Sequence, residues 1–256
     1  MNIFLKILFQ VRNYLFPAFC AICNCALSTT DELKYSLCDN CRLSINPVKG
    51  RTCVICGKPL ISEKEACVPC RIPDGNPHEN NSHDRLWVLF PYTGRYRKLL
   101  TAYKFKKNMA LVNFLVEKII NIINENPQLL NAVIIPVPPR PGKIKESGWD
   151  QVDYLVKKLK RICKEKRIIF CLKRRKSKIQ KQLNRKDRLE NLKDRIYIIK
   201  KILAASGGKA SNESILPETV LIIDDVITTG STLEVCANVL KNAGVKNVYG
   251  LCLFYD

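Results

Sequence analysis

The chain has 256 residues, enough for one large domain or two smaller ones, and a hydrophobic content of 46% is ordinary for a protein that buries a core. The charge is not ordinary: 43 Lys and Arg against 23 Asp and Glu leave a formal net charge of +20. An enzyme of small neutral metabolites has no use for such a field, so the balance points to a polyanionic partner: nucleic acid, anionic lipid or a phosphorylated molecule.

The opening, MNIFLKILFQVRNYLFPAFC, is apolar but interrupted by Lys6, Gln10, Arg12 and Asn13. It lacks the basic start, clean apolar run and small-residue cleavage site of an export signal, and it is too short and broken to span a bilayer. It reads as a short amphipathic helix packed on the rest of the protein, with a peripheral membrane anchor as the lesser reading. A chain without a transmembrane segment or export signal is expected to be cytoplasmic, where paired thiols hold metal rather than form disulfides.

Nine of the 13 cysteines fall within the first 70 residues, and eight of them form Cys-x-x-Cys pairs: Cys20/Cys23, Cys38/Cys41, Cys53/Cys56 and Cys67/Cys70. Two thiolates at this spacing turn toward one ion in a tight knuckle, and two knuckles complete a tetrahedral zinc site. Eight such ligands make two structural Zn2+ sites of four thiolates each. The simplest grouping is sequential, 20/23/38/41 and 53/56/67/70; spacing leaves a cross-braced grouping open. Cys25 is expected to be a bystander. A segment this poor in aliphatic residues draws much of its folding free energy from metal. Residues 1–80 are therefore read as a double zinc ribbon with an N-terminal helix. RIPDGNPHENNSHD (71–84) follows as a polar linker whose histidines, His78 and His83, are expected to be solvated and without a role.

From Leu86 the pattern becomes that of an α/β domain, expected over 85–256. Strands are predicted at 86–92, 132–137, 168–172, 196–200, 219–224 and 247–254. Helical spacing runs through the segment after Tyr92, then 111–126, 151–166 and 231–244, the last ending at a capping glycine. Alternation of wholly apolar strands with helices predicts a mainly parallel sheet with helices on both faces.

The strand from Thr219 runs into VLIIDDVITTGST (220–232). A loop at the carboxyl end of a buried parallel strand is where open α/β sheets bind ligands. The helix beginning at Ser231 offers free N–H groups and a favourable dipole to a phosphate. Thr228, Thr229, Ser231 and Thr232 add hydroxyls, and Gly230 permits close backbone approach. Asp224 and Asp225 cannot hold a phosphate; side by side they suit the vicinal hydroxyls of a sugar. A phosphate at one end and a diol at the other describe ribose 5-phosphate.

VLIIDDVITTGST resembles the phosphoribosyl diphosphate (PRPP) loop of the type I phosphoribosyltransferase fold. Together with the double ribbon, PVPPRPGKIKESGWDQ (136–151) and KSKIQKQLNRKDRLENL (176–192), it is similar to the ComF family of competence proteins over essentially the whole chain. Pro136, Val137, Pro138, Pro141, Gly148 and Gln151, then Gln180, Leu183, Arg185, Arg188, Asn191 and Leu192, match that pattern. Two places depart from it: Pro139-Arg140-Pro141-Gly142 replaces a His followed by basic residues, and Trp149-Asp150 replaces Phe-Asn. The resemblance implies a role in natural transformation, handling incoming single-stranded DNA on the cytoplasmic side of the membrane.

Two functions follow. Transferase chemistry needs a ribose-phosphate cradle, here Asp224 to Thr232, and carboxylates (Asp224, Asp225) that stabilise the developing oxocarbenium charge. It also needs a second site for pyrophosphate and Mg2+, for which the loop from Val137 through Arg140 to Lys143 is the candidate. A nucleic-acid binder needs a basic track. Between Arg140 and Lys201 there are 23 Lys and Arg against 7 Asp and Glu. Arg174, Arg175, Lys176, Lys181, Arg185 and Arg188 are the expected contacts to single-stranded DNA. Trp149 and Tyr103 are the expected stacking faces, worth about 1–3 kcal/mol per base. The ribbons are also read as a docking face for a protein partner, such as a DNA-translocating helicase or processing protein.

Overall fold

The computed structural model describes residues 15–48, 50–71, 82–176, 195–204, 209–210, 213–214, 216–228 and 230–256. The expected N-terminal helix lies largely outside these, as do His78, Thr229 and the basic run from 177 to 194 with Lys181, Arg185 and Arg188.

The cysteine-rich segment is built twice on one plan. Cys20-Ala-Ile-Cys-Asn-Cys and Cys53-Val-Ile-Cys-Gly-Lys form equivalent knuckles. In the first, the Cys20 N–H donates to the Cys25 carbonyl (2.8 Å) and the Asn24 N–H to the Cys20 carbonyl (3.0 Å). In the second, Cys53 donates to Lys58 and Gly57 to Cys53, both at 2.8 Å. So tight a return needs a left-handed fifth residue, supplied by Asn24 (φ 63°) and Gly57 (φ 71°). Each unit closes with a helical turn that starts at a cysteine. Helix α1 (Thr30–Tyr35) leads to α2 (Asp39–Ser44), which begins at Cys38, and a 3₁₀ turn (Val68–Cys70) begins at Cys67. Helix α1 is held by a reciprocal cap: Thr29 Oγ1 accepts the Glu32 N–H and Glu32 Oε2 accepts the Thr29 N–H, each at 3.1 Å.

The second region is a wholly parallel four-stranded sheet. Strands β1 (Arg85–Pro91), β2 (Val133–Pro136), β7 (Thr219–Ile227) and β8 (Asn247–Tyr255) lie in the order β1-β8-β7-β2. Between β1 and β2 run α3 (Gly94–Leu100), a π-helical turn (Thr101–Phe105) and the amphipathic α4 (Leu111–Glu125). Helices α5 (Lys143–Ser147) and α6 (Gln151–Ile162) follow β2, α7 (Lys200–Ala204) precedes β7, and α8 (Ser231–Asn242) joins β7 to β8. Helix α8 ends as its sequence predicts, at Gly244 with φ 103°.

Two predicted strands do not join this sheet as strands. The 168–172 run touches it through one bridge, Ile168 to Ile134. Strands β3 (Leu172–Arg174) and β4 (Ile196–Ile198) instead pair antiparallel with each other, and β5 (Lys209–Ala210) and β6 (Glu213–Ser214) form a further short pair. An apolar run alone does not reveal which neighbour a strand will take.

Period-two alternation sends each face of the sheet to a different core. Leu221, Ile223, Leu251 and Leu253 pack with α4 and α6; Val220 and Ile222 pack with Val235, Cys236 and Leu240 of α8 and with Cys171, Leu172 and Ile196. Each aliphatic side chain buried in this way contributes roughly 1.5–3 kcal/mol.

The two ribbons meet the sheet differently. Ile22, Leu27, Tyr35, Leu37 and Ile45 of the first belong to the same apolar cluster as α4 and α6, and Tyr35 Oη donates to Glu117 Oε2 (2.9 Å). The second has a small cluster of its own, Cys53, Ile55, Ala66 and Cys67. It meets the sheet at β1: the Leu86 N–H donates to the Val54 carbonyl (2.9 Å), and a Cβ on Gly57 would lie 2.3 Å from Val88 Cγ2. His83, expected to be solvated, is buried, with Nε2 2.9 Å from the Ile55 carbonyl; burial pushes its pKa down.

Candidate functional site

Strand β7 runs further than its apolar stretch suggests, through Ile227, so Asp225 joins Asp224 inside the strand rather than opening the loop. Alternation then divides them. Asp225 continues the face of Leu221 and Ile223, and Asp224 the face of Val220 and Ile222. They remain together because both line one cleft of about 350 Å3 at the carboxyl ends of the strands. Lys104, Val137, Arg140, Lys143, Arg174 and Thr232 share that cleft.

Asp225 is buried, and both of its oxygens have partners. Its Oδ2 lies 2.6 Å from Lys104 Nζ and accepts from Gln151 Nε2, and its Oδ1 accepts the Val226 N–H (2.9 Å). Burial works to raise this carboxyl, but the Lys104 ammonium outweighs it and holds the pKa below the ordinary value. Asp224 has the opposite environment. Burial, with the negative charge of Asp225 beside it, holds its carboxyl well above the usual range. Adjacent carboxylates with divergent pKa values in a cleft make this pair a candidate functional site.

The turn after β7 is short. Gly230 adopts φ 77° and stands as the N-cap of α8, with no side chain capping the helix end. Thr228 is exposed, Ser231 buried and Thr232 half-buried, and these three with Gly230 ring a small recess beneath the turn. The backbone N–H groups and the Thr232 hydroxyl at this helix start can hold a phosphate.

The opposite wall is the 136–151 segment. Pro136 ends β2, and the Val137 N–H donates to the Ile223 carbonyl (2.9 Å). That amide is already committed, and Val137 lines the cleft. Arg140 is exposed and paired with Glu146 at 2.5 Å. Lys143 Nζ lies 2.6 Å from Asp150 Oδ2 and 2.5 Å from Gln151 Oε1. Asp150 Oδ1 caps α6 by accepting the N–H groups of Val152 (3.0 Å) and Asp153 (2.9 Å).

The predicted stacking faces are not available. Tyr103 is fully buried and Trp149 is 9% exposed, their rings edge-to-face at 5.4 Å, with Tyr154 closing the cluster. Tyr103 Oη donates to the Gln151 carbonyl (2.7 Å), so this group fixes α6 instead of presenting a ring. Of the cations named for nucleic acid, Arg174 lines the cleft while Arg175 and Lys176 are exposed beside it. Lys104 is the principal residue that sequence reasoning passed over. It stands in YKFKKN among other lysines, and nothing in the pattern shows that the π-helical turn aims it at Asp225; such turns recur at functional sites.

The sulfur clusters form a second candidate site. Cys53, Cys56, Cys67 and Cys70 bring their sulfurs within 4.8 Å of one another, which is the sequential grouping. In the first ribbon Cys20, Cys23, Cys25 and Cys38 do the same. Cys25 is therefore no bystander: its sulfur is 3.4 Å from that of Cys23. Cys41 is buried beside Cys23, Cys38 and Cys20; burial and these neighbours push its thiol up. The first ribbon thus offers five sulfurs where the second offers four. The Cys25 backbone and thiol pull Cys23 down to about 6, as expected where a thiolate ligand is wanted. Sulfur-only clusters of this size suit tetrahedral zinc in a structural role.

A parallel sheet with a carboxylate-bearing cleft at its strand ends, joined to two thiol knuckles, defines a class: a double zinc ribbon on a phosphoribosyltransferase fold. The double zinc ribbon domain matches residues 11–71 and the phosphoribosyl transferase domain residues 168–256. β1 and β2 extend the sheet upstream of the second match. The chain joins both domains and is similar over most of its length to competence proteins of this two-domain kind. It is 27% identical over 221 residues to Competence protein F of Haemophilus influenzae, covering 84% of this chain and 88% of that protein. It is 22% identical over 208 residues to Competence protein ComFC of Bacillus subtilis (81% and 79%) and 24% identical over 218 residues to ComFC of Streptococcus pneumoniae (83% and 84%). Among the described residues, no helix is long and apolar enough to cross a membrane.

Proposed function

We propose that the protein handles single-stranded DNA in natural transformation and that the cleft at Asp224 and Asp225 takes PRPP or the ribose phosphate of a nucleotide. The observation that carries this reading is the cleft itself. It sets a helix start fit for phosphate beside two acids fit for a ribose diol, and surrounds them with Lys104, Arg140, Lys143 and Arg174. The recess at Gly230–Thr232 would take the 5-phosphate. In this reading Asp225, held ionised by Lys104, accepts from a ribose hydroxyl. Asp224, held toward its neutral form, ionises when a cation arrives; Mg2+ brought with pyrophosphate would supply that charge.

Titration of labelled single-stranded DNA at two salt concentrations, with and without Mg2+ and PRPP, tests this. Salt-sensitive binding that PRPP competes away is expected. Saturable PRPP binding without DNA binding would transfer the cleft to the second reading, an active Mg2+-dependent phosphoribosyltransferase. That enzyme would release pyrophosphate, and the double change Asp224→Asn, Asp225→Asn would abolish the release. The same four cations and paired acids favour that reading too, since each could meet a charge that develops in the transition state.

The acids also set a pH dependence. A raised folded-state pKa means that the Asp224 contribution to stability is complete below its unfolded pKa and is lost as pH rises through the folded one. Asp224→Asn removes that loss, so its melting temperature should gain on the unaltered protein as pH rises above the ordinary carboxylate range. A constant difference as pH rises would remove the assignment.

A further inference from the structure

A second cleft lies outside the site described above, between the first sulfur knuckle and the α3–π segment. Its volume is about 600 Å3. One wall is the knuckle from Cys20 to Asn24; the other presents Arg97, Lys98, Thr101 and Lys106. Three cations line it and no acid does. Among the described residues, none of the three pairs with a carboxylate. Lys98 Nζ reaches the Ile22 carbonyl at 3.5 Å, and the Arg97 guanidinium lies over the Tyr92 ring at 5.6 Å. Like charges gathered without counter-charges raise the energy of the folded chain, and a polyanion relieves it.

Two exposed aromatic residues adjoin lining residues of the cleft in the chain and are not used by the core. Phe19, next to Cys20, is 50% exposed, and Phe105, next to Lys106, is 66% exposed. Tyr103 and Trp149, which sequence reasoning offered for stacking, are buried, so exposed rings must be sought elsewhere. A cation-lined groove with exposed aromatic residues next to its lining can receive single-stranded nucleic acid: phosphates meet the cations and bases lie on the rings. A lone small phosphate would leave both rings unexplained.

We propose that this cleft carries part of a single strand of nucleic acid, with phosphodiesters on Arg97, Lys98 and Lys106, the Thr101 hydroxyl donating to one of them, and bases on Phe19 and Phe105. The proposal rests on the DNA-handling reading and gives the strand a path along the first ribbon. Lys104 of the ribose-phosphate cleft stands in the same π-helical turn as Thr101, which lines this one.

The test is an anisotropy titration of a labelled oligothymidine with the full chain at several salt concentrations. The double variant Arg97→Gln, Lys106→Gln should bind about tenfold more weakly, and its salt slope should shrink by about 1.4, the loss of two single-strand phosphate contacts. Phe19→Ala and Phe105→Ala should each weaken binding at least about fivefold while leaving the slope unchanged. Lys246→Gln, an exposed cation just before β8 and outside both clefts, should change affinity by less than about twofold. Full affinity and slope in the double variant would overturn the cleft and leave DNA handling standing. No binding by the unaltered chain would overturn both. Should Phe19→Ala unfold in a thermal melt, the exposed Arg97 and Lys106 pair still decides the matter.

Discussion

The two ribbons share a knuckle, a left-handed fifth residue and a second half that starts at a cysteine with the same backbone angles, φ −69° and ψ 158° at Cys38 and Cys67. They differ in what supports them. The first lends five apolar side chains to the main core; the second keeps a cluster of four residues, two of them cysteines. The difference teaches that a zinc module can be a graft in one copy and a free-standing staple in the other, on nearly one sequence pattern. A four-residue cluster cannot offset the conformational entropy of ordering some twenty residues at about 1–2 kcal/mol each, so the second ribbon rests on its metal.

Removal of zinc should separate the two most sharply. After chelation, amide exchange at Gly57 and Leu60 should rise to unfolded rates while Leu37 and Ile45 keep part of their protection; equal loss in both would mean that the shared core gives the first ribbon no support. Next in size is the metal count. Cys53→Ser should reduce bound zinc from two ions to one. Cys25→Ser and Cys41→Ser, made singly, should each retain two by mass spectrometry of the native protein, because four sulfurs remain. Loss of an ion in Cys41→Ser would show that Cys25 does not ligate. Then come the cores. Ile45→Ala should lower the stability of the whole chain by about 2–5 kcal/mol, whereas Ile55→Ala should change exchange only within residues 50–71. Gly57→Ala must move Val88 or the knuckle and should cost about 1–3 kcal/mol in the docking of the second ribbon. The smallest effect is Thr29→Ala, which removes half of a reciprocal cap and should cost about 1 kcal/mol in chemical denaturation.

Much of this was legible in the sequence, for identifiable reasons. Cys-x-x-Cys spacing is a local rule, so both sulfur clusters could be read, and the sequential grouping holds in the second. Apolar runs bounded by turns located the strands of the parallel sheet. What failed was non-local. Cys25 occupies the position of Lys58 in the other knuckle, and only the repeat geometry shows that its sulfur is turned inward. Trp149 looks like a surface aromatic in a polar stretch but is enclosed by Tyr103 and Tyr154, one of them 46 residues away. Asp150, a departure from the family pattern, is explained locally as the cap of α6 and the partner of Lys143. The strand was expected to end at Asp224, with Asp225 opening the loop. The strand continues through them, and its pleat turns each toward a different face.

One feature of the fold reaches beyond binding. β1 pairs with β8 on one side only and is the outermost strand of the sheet. The remaining backbone of that strand is met by the cysteine-rich segment, through the Val48 N–H on the Leu89 carbonyl (2.8 Å) and the Val54 carbonyl on the Leu86 N–H. An uncovered parallel strand of sequence RLWVLFP is a template for pairing with another molecule. In a metal-starved cell the second ribbon would let go of β1, and the protein would then be lost to self-association before its sheet had unfolded.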